Sequence, residues 1–168
     1  MRAVWPERLP LTMRLGSDDL NAAGVRFDDA VHAVGRMKDH GLDLADLSLG
    51  MNTDALESLP FADLAFMVER GARVRREVGI PVGVSWNLGL PAVADKVIRD
   101  DLVDLVLLGR PALANPHWPL WAARELGQDD PFGLLPEDWA WWLRNFRANP
   151  QCIGWPEAAK DVLNVTAA

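Results

Sequence analysis

The sequence predicts an α/β fold in which four parallel strands alternate with helices, and three features predict it. Apolar runs of strand length occur at residues 9–16, 42–49, 81–86 and 103–108. The segments between them carry apolar residues at helical spacing. Glycine or proline stands near most junctions between a helical segment and the next strand. Strand and helix in strict alternation require a parallel sheet with right-handed crossovers.

The fourth run, Asp101 to Pro111, organises the rest. From Val103 to Leu108 it is apolar except at Asp104, the pattern of a parallel strand covered on both faces. It stops abruptly at Gly109-Arg110-Pro111. A glycine at a strand's carboxyl end lets a ligand approach the backbone, and the adjacent arginine supplies a planar, permanently charged fork for phosphate. The pair reads as an anion seat. It also reads as a helix-capping glycine followed by a surface arginine.

The first run, Leu9 to Gly16, alternates: Leu9, Leu11, Met13 and Leu15 share one face, Thr12, Arg14 and Gly16 the other. Arg14 therefore points away from the apolar layer, toward the mouth of a barrel if the chain forms one. A helix from Phe27 to His40 follows, apolar at Phe27, Ala30, Val31, Val34 and Met37 and ended by Gly41. The second strand, Leu42 to Leu49, places Leu44, Asp46, Ser48 and Gly50 on one side. After a loop carrying Asn52, Thr53 and Asp54, a helix is expected from about Ala62 to Val78, with Leu64, Met67, Val68, Ala72 and Val74 apolar. Arg70, Arg73, Arg75 and Arg76, interleaved with Glu69 and Glu77, read as its solvated face. Pro81 to Trp86 forms the third strand and Pro91 to about Arg99 the third helix. Pro111 to Pro116 forms a short turn and His117 to Leu126 an outer helix. The last helix begins at Pro136, with Trp139, Trp142, Leu143 and Phe146 on a stripe expected to be packed and Trp141 off it. Beyond Asn149, Pro150, Gly154 and Pro156 interrupt regularity.

At 168 residues the chain is well short of the ~250 of a complete eight-stranded α/β barrel. Seventeen basic against 24 acidic residues give a net charge of −7, which argues against a nucleic-acid partner. One cysteine, Cys152, excludes an internal disulfide and favours a reducing, cytoplasmic setting. No apolar run approaches the ~20 residues of a membrane span, so no membrane is expected. No His-X-X-X-His, His-Glu-X-X-His or cysteine pair supports a metal, and Ser48 and Ser85 lack the Gly-X-Ser-X-Gly elbow of a serine nucleophile. The acidic pairs Asp18-Asp19, Asp28-Asp29, Asp100-Asp101 and Asp129-Asp130 fall where capping explains them.

Three segments, Leu9-Pro-Leu-Thr-Met-Arg-Leu-Gly-Ser-Asp-Asp19, Gly41-Leu-Asp-Leu-Ala-Asp-Leu-Ser-Leu-Gly50 and Asp104-Leu-Val-Leu-Leu-Gly-Arg-Pro-Ala-Leu-Ala-Asn-Pro-His-Trp-Pro119, together resemble the carboxyl half of the old yellow enzyme family, nearest its bacterial xenobiotic-reductase branch. The resemblance covers roughly residues 3 to 147. It implies the C-terminal half of a TIM (β/α)8 barrel, with a half-barrel at 1–135 and an aromatic helix and tail at 136–168. It also implies FMN as cofactor, NADPH or NADH as electron donor, and an activated alkene as substrate. By the same resemblance Arg14 faces the electron-rich edge of the flavin, while Gly109 and Arg110 hold its phosphate and Gly83 belongs to the phosphate loop.

The chain departs from the family at several points. Val84-Ser85-Trp86 replaces a hydrophobic residue followed by threonine, Gly16 a serine, and Leu20 an aromatic. The family's first four βα units, with their histidine pair and tyrosine proton donor, have no counterpart here. His32, His40 and His117 do not stand in for the pair, and the chain contains no tyrosine, so no catalytic residue is assigned. A half-barrel exposes two strand edges, so a separate amino-terminal half or a second copy of the chain is the expected partner. The alternatives are a non-catalytic module that binds a phosphorylated ligand, or a half-barrel that only docks a partner through its aromatic helix.

Overall fold

The computed structural model describes residues 1–50 and 59–146. It forms two compact units, Met1–Pro116 and His117–Ala168, the second described as far as Phe146. The expectations for Asn52, Thr53, Asp54, Cys152 and the breakers from Asn149 to Pro156 fall outside the described residues.

The first unit holds a four-stranded sheet. Its strands are β1 (Thr12–Gly16), β2 (Leu44–Ser48), β3 (Val82–Val84) and β4 (Leu105–Val106). They lie in sequence order and every pairing is parallel. The helices between them are α1 (Phe27–Asp39), α2 (Phe66–Val78) and α3 (Pro91–Arg99). This is the α/β architecture expected from the alternation, and it is consistent with half of a (β/α)8 barrel.

Register divides the sheet into two faces. Leu15, Leu47, Val84 and Val106 stand side by side across the four strands. They join the apolar core, in which Leu47, Val82, Val84, Val34 and Val74 have no exposed surface. Truncating Leu47 to alanine would cost about 2–5 kcal/mol. The alternate row, Arg14, Asp46, Gly83 and Leu105, lies on the opposite face.

The helix ends follow chain chemistry. Gly41, at φ 90°, closes α1: its N–H bonds Lys38 O and the Leu42 N–H bonds Met37 O, a Schellman pair. The same pair closes α3, where Asp101 takes the left-handed position at φ 57°, its N–H bonding Ile98 O and the Leu102 N–H bonding Val97 O.

Several boundaries differ from expectation. β1 starts at Thr12 rather than Leu9, because Pro10 has no N–H to donate and the Leu11 N–H goes to the Asp43 carboxylate. α2 starts at Phe66 rather than about Ala62, since Asp63 Oδ1 accepts the Ala65 N–H in a side-chain turn ahead of the helix; Leu64 stays exposed. Three of the four arginines of α2 are held in ion pairs, while Arg76 is exposed as expected of a solvated face. Arg70 pairs with Asp18 at 3.1 Å and covers the Phe66 ring at 3.7 Å, Arg73 pairs with Asp28 and Glu77, and Arg75 pairs with Asp101 and Asp104.

The largest correction concerns the organising run. Only Leu105 and Val106 form β4, and Leu105 is 48% exposed. The run is apolar as a covered strand would be, but among the described residues β4 pairs only with β3, at the edge of the sheet.

In the second unit, α5 (Trp118–Glu125) and α6 (Glu137–Phe146) both pack on a 3-10 turn at Pro131–Leu134. α6 corrects the aromatic stripe at two of its members: Trp139 and Trp142 are exposed, as is Trp141, while Ala140 is fully buried, and the Phe146 side chain lies outside what the structure describes. A small side chain lets the helix approach closely, which leaves the bulky indoles outside. Arg144 ties α6 to the turn through Asp130, at 2.7 Å.

Candidate functional site

A cavity of about 1400 Å³ opens at the carboxyl ends of the four strands, within the first unit. The strand tips build it. β1 contributes Arg14, β2 ends in Ser48 and Leu49, β3 runs into Ser85 and Trp86, and β4 runs into Leu107, Leu108, Gly109 and Arg110. Crevices outside the carboxyl ends of parallel strands are where such folds bind ligands, because successive loops diverge there and leave backbone accessible.

Arg14, Gly109 and Arg110, three residues singled out from the sequence, line this one cavity although they come from opposite edges of the sheet. Gly109 is the residue before the short helix α4 (Arg110–Ala114), and nothing lies within 4 Å of the position a β-carbon would take there. Its backbone is open to approach. Gly83 is placed differently: it lies inside β3 between Asp46 and Leu105, not among the cavity-lining residues. A β-carbon on Gly83 would sit 2.7 Å from Leu107 Cδ1, so the missing side chain makes room for Leu107.

Among the described residues Arg14 has one acidic partner, Asp46. Its Nη1 lies 3.5 Å from Asp46 Oδ2, and its side chain is 58% exposed. Asp46 is 8% exposed, and its second oxygen, Oδ1, is buried with no hydrogen-bond partner among the described residues. Burial pushes the Asp46 carboxyl above its ordinary value, and the Arg14 charge counters this in part. At the base of the unit Asp43 is displaced the other way, held low by the hydrogen bond from the Leu11 N–H and by Arg2.

One wall is aromatic. Phe61 and Trp86 stack with centroids 5.2 Å apart and planes 14° from parallel, and Phe66 tilts against Trp86 at 6.3 Å. Trp86 Nε1 donates to Pro60 O at 3.2 Å, and Asn87 Nδ2 donates to Phe61 O. Trp86 and Asn87 hold φ of 107° and 52°, two successive left-handed residues that are not glycine. Such backbone costs of order 1–3 kcal/mol per residue and persists where the surroundings enforce it.

The chain is similar to two NADPH dehydrogenases. It is 38% identical over 128 residues to the NADPH dehydrogenase of Geobacillus thermodenitrificans (strain NG80-2). It is 34% identical over 128 residues to that of Geobacillus sp. (strain WCH70). Each alignment takes in 76% of this chain and 36% of the relative, so the chain spans little more than a third of the length of the curated relatives it matches. No protein-family model matches it.

The residues fit FMN in their chemistry. Two arginines, Arg14 and Arg110, line a cavity with apolar walls from Leu49, Leu88, Leu107 and Leu108, groups suited to a planar ring system carrying a phosphate. The residue pattern did not reveal the role of Asp46 or the Phe61–Trp86 wall. A charged residue inside an otherwise buried strand was the signal for the first. For the second it was the tryptophan of Val84-Ser85-Trp86, where the chain departs from the family. Among the described residues no group of three or more His, Cys, Asp or Glu could hold a metal, and no helix is long and apolar enough to cross a membrane.

Proposed function

We propose that this chain belongs to the old yellow enzyme family and supplies the FMN-binding half of an NAD(P)H-dependent flavin oxidoreductase of the ene-reductase type. One observation carries the reading: Arg14 and the Gly109–Arg110 pair, from the two edge strands, line the same cavity. Similarity to two curated NADPH dehydrogenases supports it. In this reading residues 1–135 form the half-barrel with the phosphate site and residues 136–168 the aromatic helix and tail.

FMN, when bound, supplies hydride transfer between nicotinamide and an activated alkene. The chain's own residues hold it. Arg110 offers its guanidinium fork to the phosphate, and Gly109 leaves its main chain open beside it. Arg14 provides fixed positive charge where the ring system gains electron density. The apolar strand tips and the Phe61–Trp86 wall exclude water from the ring.

Turnover requires further βα units against the open edges of β1 and β4, from an amino-terminal half or a second copy, because the substrate-holding histidine pair and the tyrosine donor of the family lie in units that have no counterpart here. A cytoplasmic setting suits the single cysteine.

The test is titration of FMN followed by quenching of its fluorescence. The native chain should bind FMN, and Arg110→Ala should weaken binding by about tenfold or more, the scale of one charge-assisted phosphate contact. Equal affinity in the two proteins would remove the phosphate assignment. Stabilisation by FMN without NADPH oxidation, even after addition of an amino-terminal half, would favour the second reading, a non-catalytic module for phosphorylated ligands.

A further inference from the structure

Across the face that carries the cavity, Arg14, Asp46, Gly83 and Leu105 stand in register on four neighbouring strands. Asp46 is the acidic member of that row. It is paired in register with Arg14 on one side and with Gly83, which has no side chain, on the other. Its side chain is only 11% exposed, yet among the described residues its carboxylate meets charge at 3.5 Å through one oxygen, and the other oxygen has no hydrogen-bond partner. Burying a carboxylate with so little compensation is costly, and a neutral residue of the same shape would relieve that cost. The guanidinium has the opposite character: it is mostly exposed, lines the cavity and would move freely on its long stem without a tether.

We propose that Asp46 is a positioning residue, a buried acidic anchor that fixes the Arg14 guanidinium at the β1 tip so that its remaining N–H groups face the cavity as an oriented anion-binding fork. A monodentate contact to a single carboxylate oxygen leaves the other donors of the fork for a ligand, where a bidentate pair would consume them. In register Asp46 meets no side chain from β3, where Leu107 Cδ1 takes the space that Gly83 leaves, so among the described residues Arg14 is the cation that orients the carboxylate. The inference rests on the reading of Arg14 as an anion-facing residue and deepens it. Affinity at this end of the cavity depends on the pair, not on one arginine.

The experiment compares Arg14→Lys in two backgrounds, native and Asp46→Asn, by FMN titration of the full chain. Lysine keeps the charge and loses the fork, so it measures orientation. Arg14→Lys should weaken FMN about tenfold in the native background and under about threefold with Asp46→Asn, because the anchor is already gone. The same loss in both backgrounds overturns the proposal, whatever Asp46→Asn does to affinity by itself.

The Arg14 Nε–H signal in the ligand-free chain gives a flavin-independent readout. It should report an ordered side chain in the native protein and a mobile one in Asp46→Asn, and an unchanged signal overturns the proposal. If the native chain fails to bind FMN, the function proposed above falls while the Arg14 signal still decides the role of Asp46. Asp46→Ser replaces Asp46→Asn should the latter not fold.

Discussion

Asp104 and Arg75 are joined by a 3.0 Å bond from Nε to Oδ2, and the same Asp104 oxygen accepts the Val82 N–H at 2.8 Å. The carboxylate thereby fastens the start of β3, the foot of the β4 run and the last turn of α2. Arg75 extends the tie by donating to Asp101 O at 3.0 Å and pairing with Asp101 Oδ1 at 2.7 Å. These acidic partners raise the Arg75 pKa further above its ordinary value, the hydrogen bonds to Asp101 contributing most.

Asp104→Ala should therefore destabilise the first unit by about 1–3 kcal/mol, the cost of leaving a strand N–H and an arginine without their acceptor. Urea unfolding followed by tryptophan fluorescence measures it. A loss below about 0.5 kcal/mol, the range of an ordinary surface substitution, would mean that the three elements are held by apolar packing alone.

That single charged residue in an apolar run illustrates what the sequence disclosed. The alternation of elements was legible because each strand and helix keeps its own hydrophobic period, Arg14 because it stands on the face opposite the apolar residues of its strand, and Gly109-Arg110 because they end an apolar run. The extent of β4 was not. A run such as Val103 to Leu108 reads the same whether a further strand pairs with it or not, since pairing is a property of the neighbour. The stripe on α6 has a similar cause: tryptophan and alanine both count as apolar in a periodicity, while it is the small Ala140 that is fully buried and Trp139 and Trp142 that stay exposed. Asp46 stood on the right face from the start, but its lack of a second partner is visible only in three dimensions.

The Phe61–Trp86 stack should couple energetically. Offset aromatic pairs contribute about 0.5–1.5 kcal/mol beyond area burial. Phe61→Ala and Trp86→Ala should each destabilise the chain, and the double variant should lose less than the sum by an amount in that range. Strict additivity in a double-mutant cycle on unfolding free energy would mean that the rings only share the cavity wall.

Acid titration should separate Asp46 from the other carboxylates. Its pKa is raised in the folded state, so the folded chain binds that proton more tightly than the unfolded chain. Stability from this group is thus greatest below the ordinary carboxylate value and is lost as pH rises through the raised folded value. Asp43, depressed by the Leu11 N–H, acts in the opposite sense: its contribution is present above the ordinary value and is lost as pH falls through the lowered one. The native chain sums both effects, and comparison with Asp46→Asn isolates the first. The stability advantage of Asp46→Asn should grow as pH rises through the acid range and then level off, measured by urea unfolding from about pH 3 to 7. An advantage independent of pH would place the Asp46 pKa at its ordinary value.

The edges of the sheet supply the last prediction. Among the described residues β1 and β4 each pair on one side only, and Met13 and Leu105 on them are 41% and 48% exposed. Unpaired strand edges with apolar side chains template further strand addition, and parallel sheets are ordinarily closed or covered. The isolated chain should therefore associate, with a light-scattering mass above the 18.6 kDa of one copy. Lysine at an edge blocks strand addition because its charge cannot be buried in the new pairing, so Met13→Lys combined with Leu105→Lys should return the mass toward one copy. A native chain that stays at 18.6 kDa across a hundredfold range of concentration would show that its edges are protected without a partner, and the need for complementing βα units would fall with it.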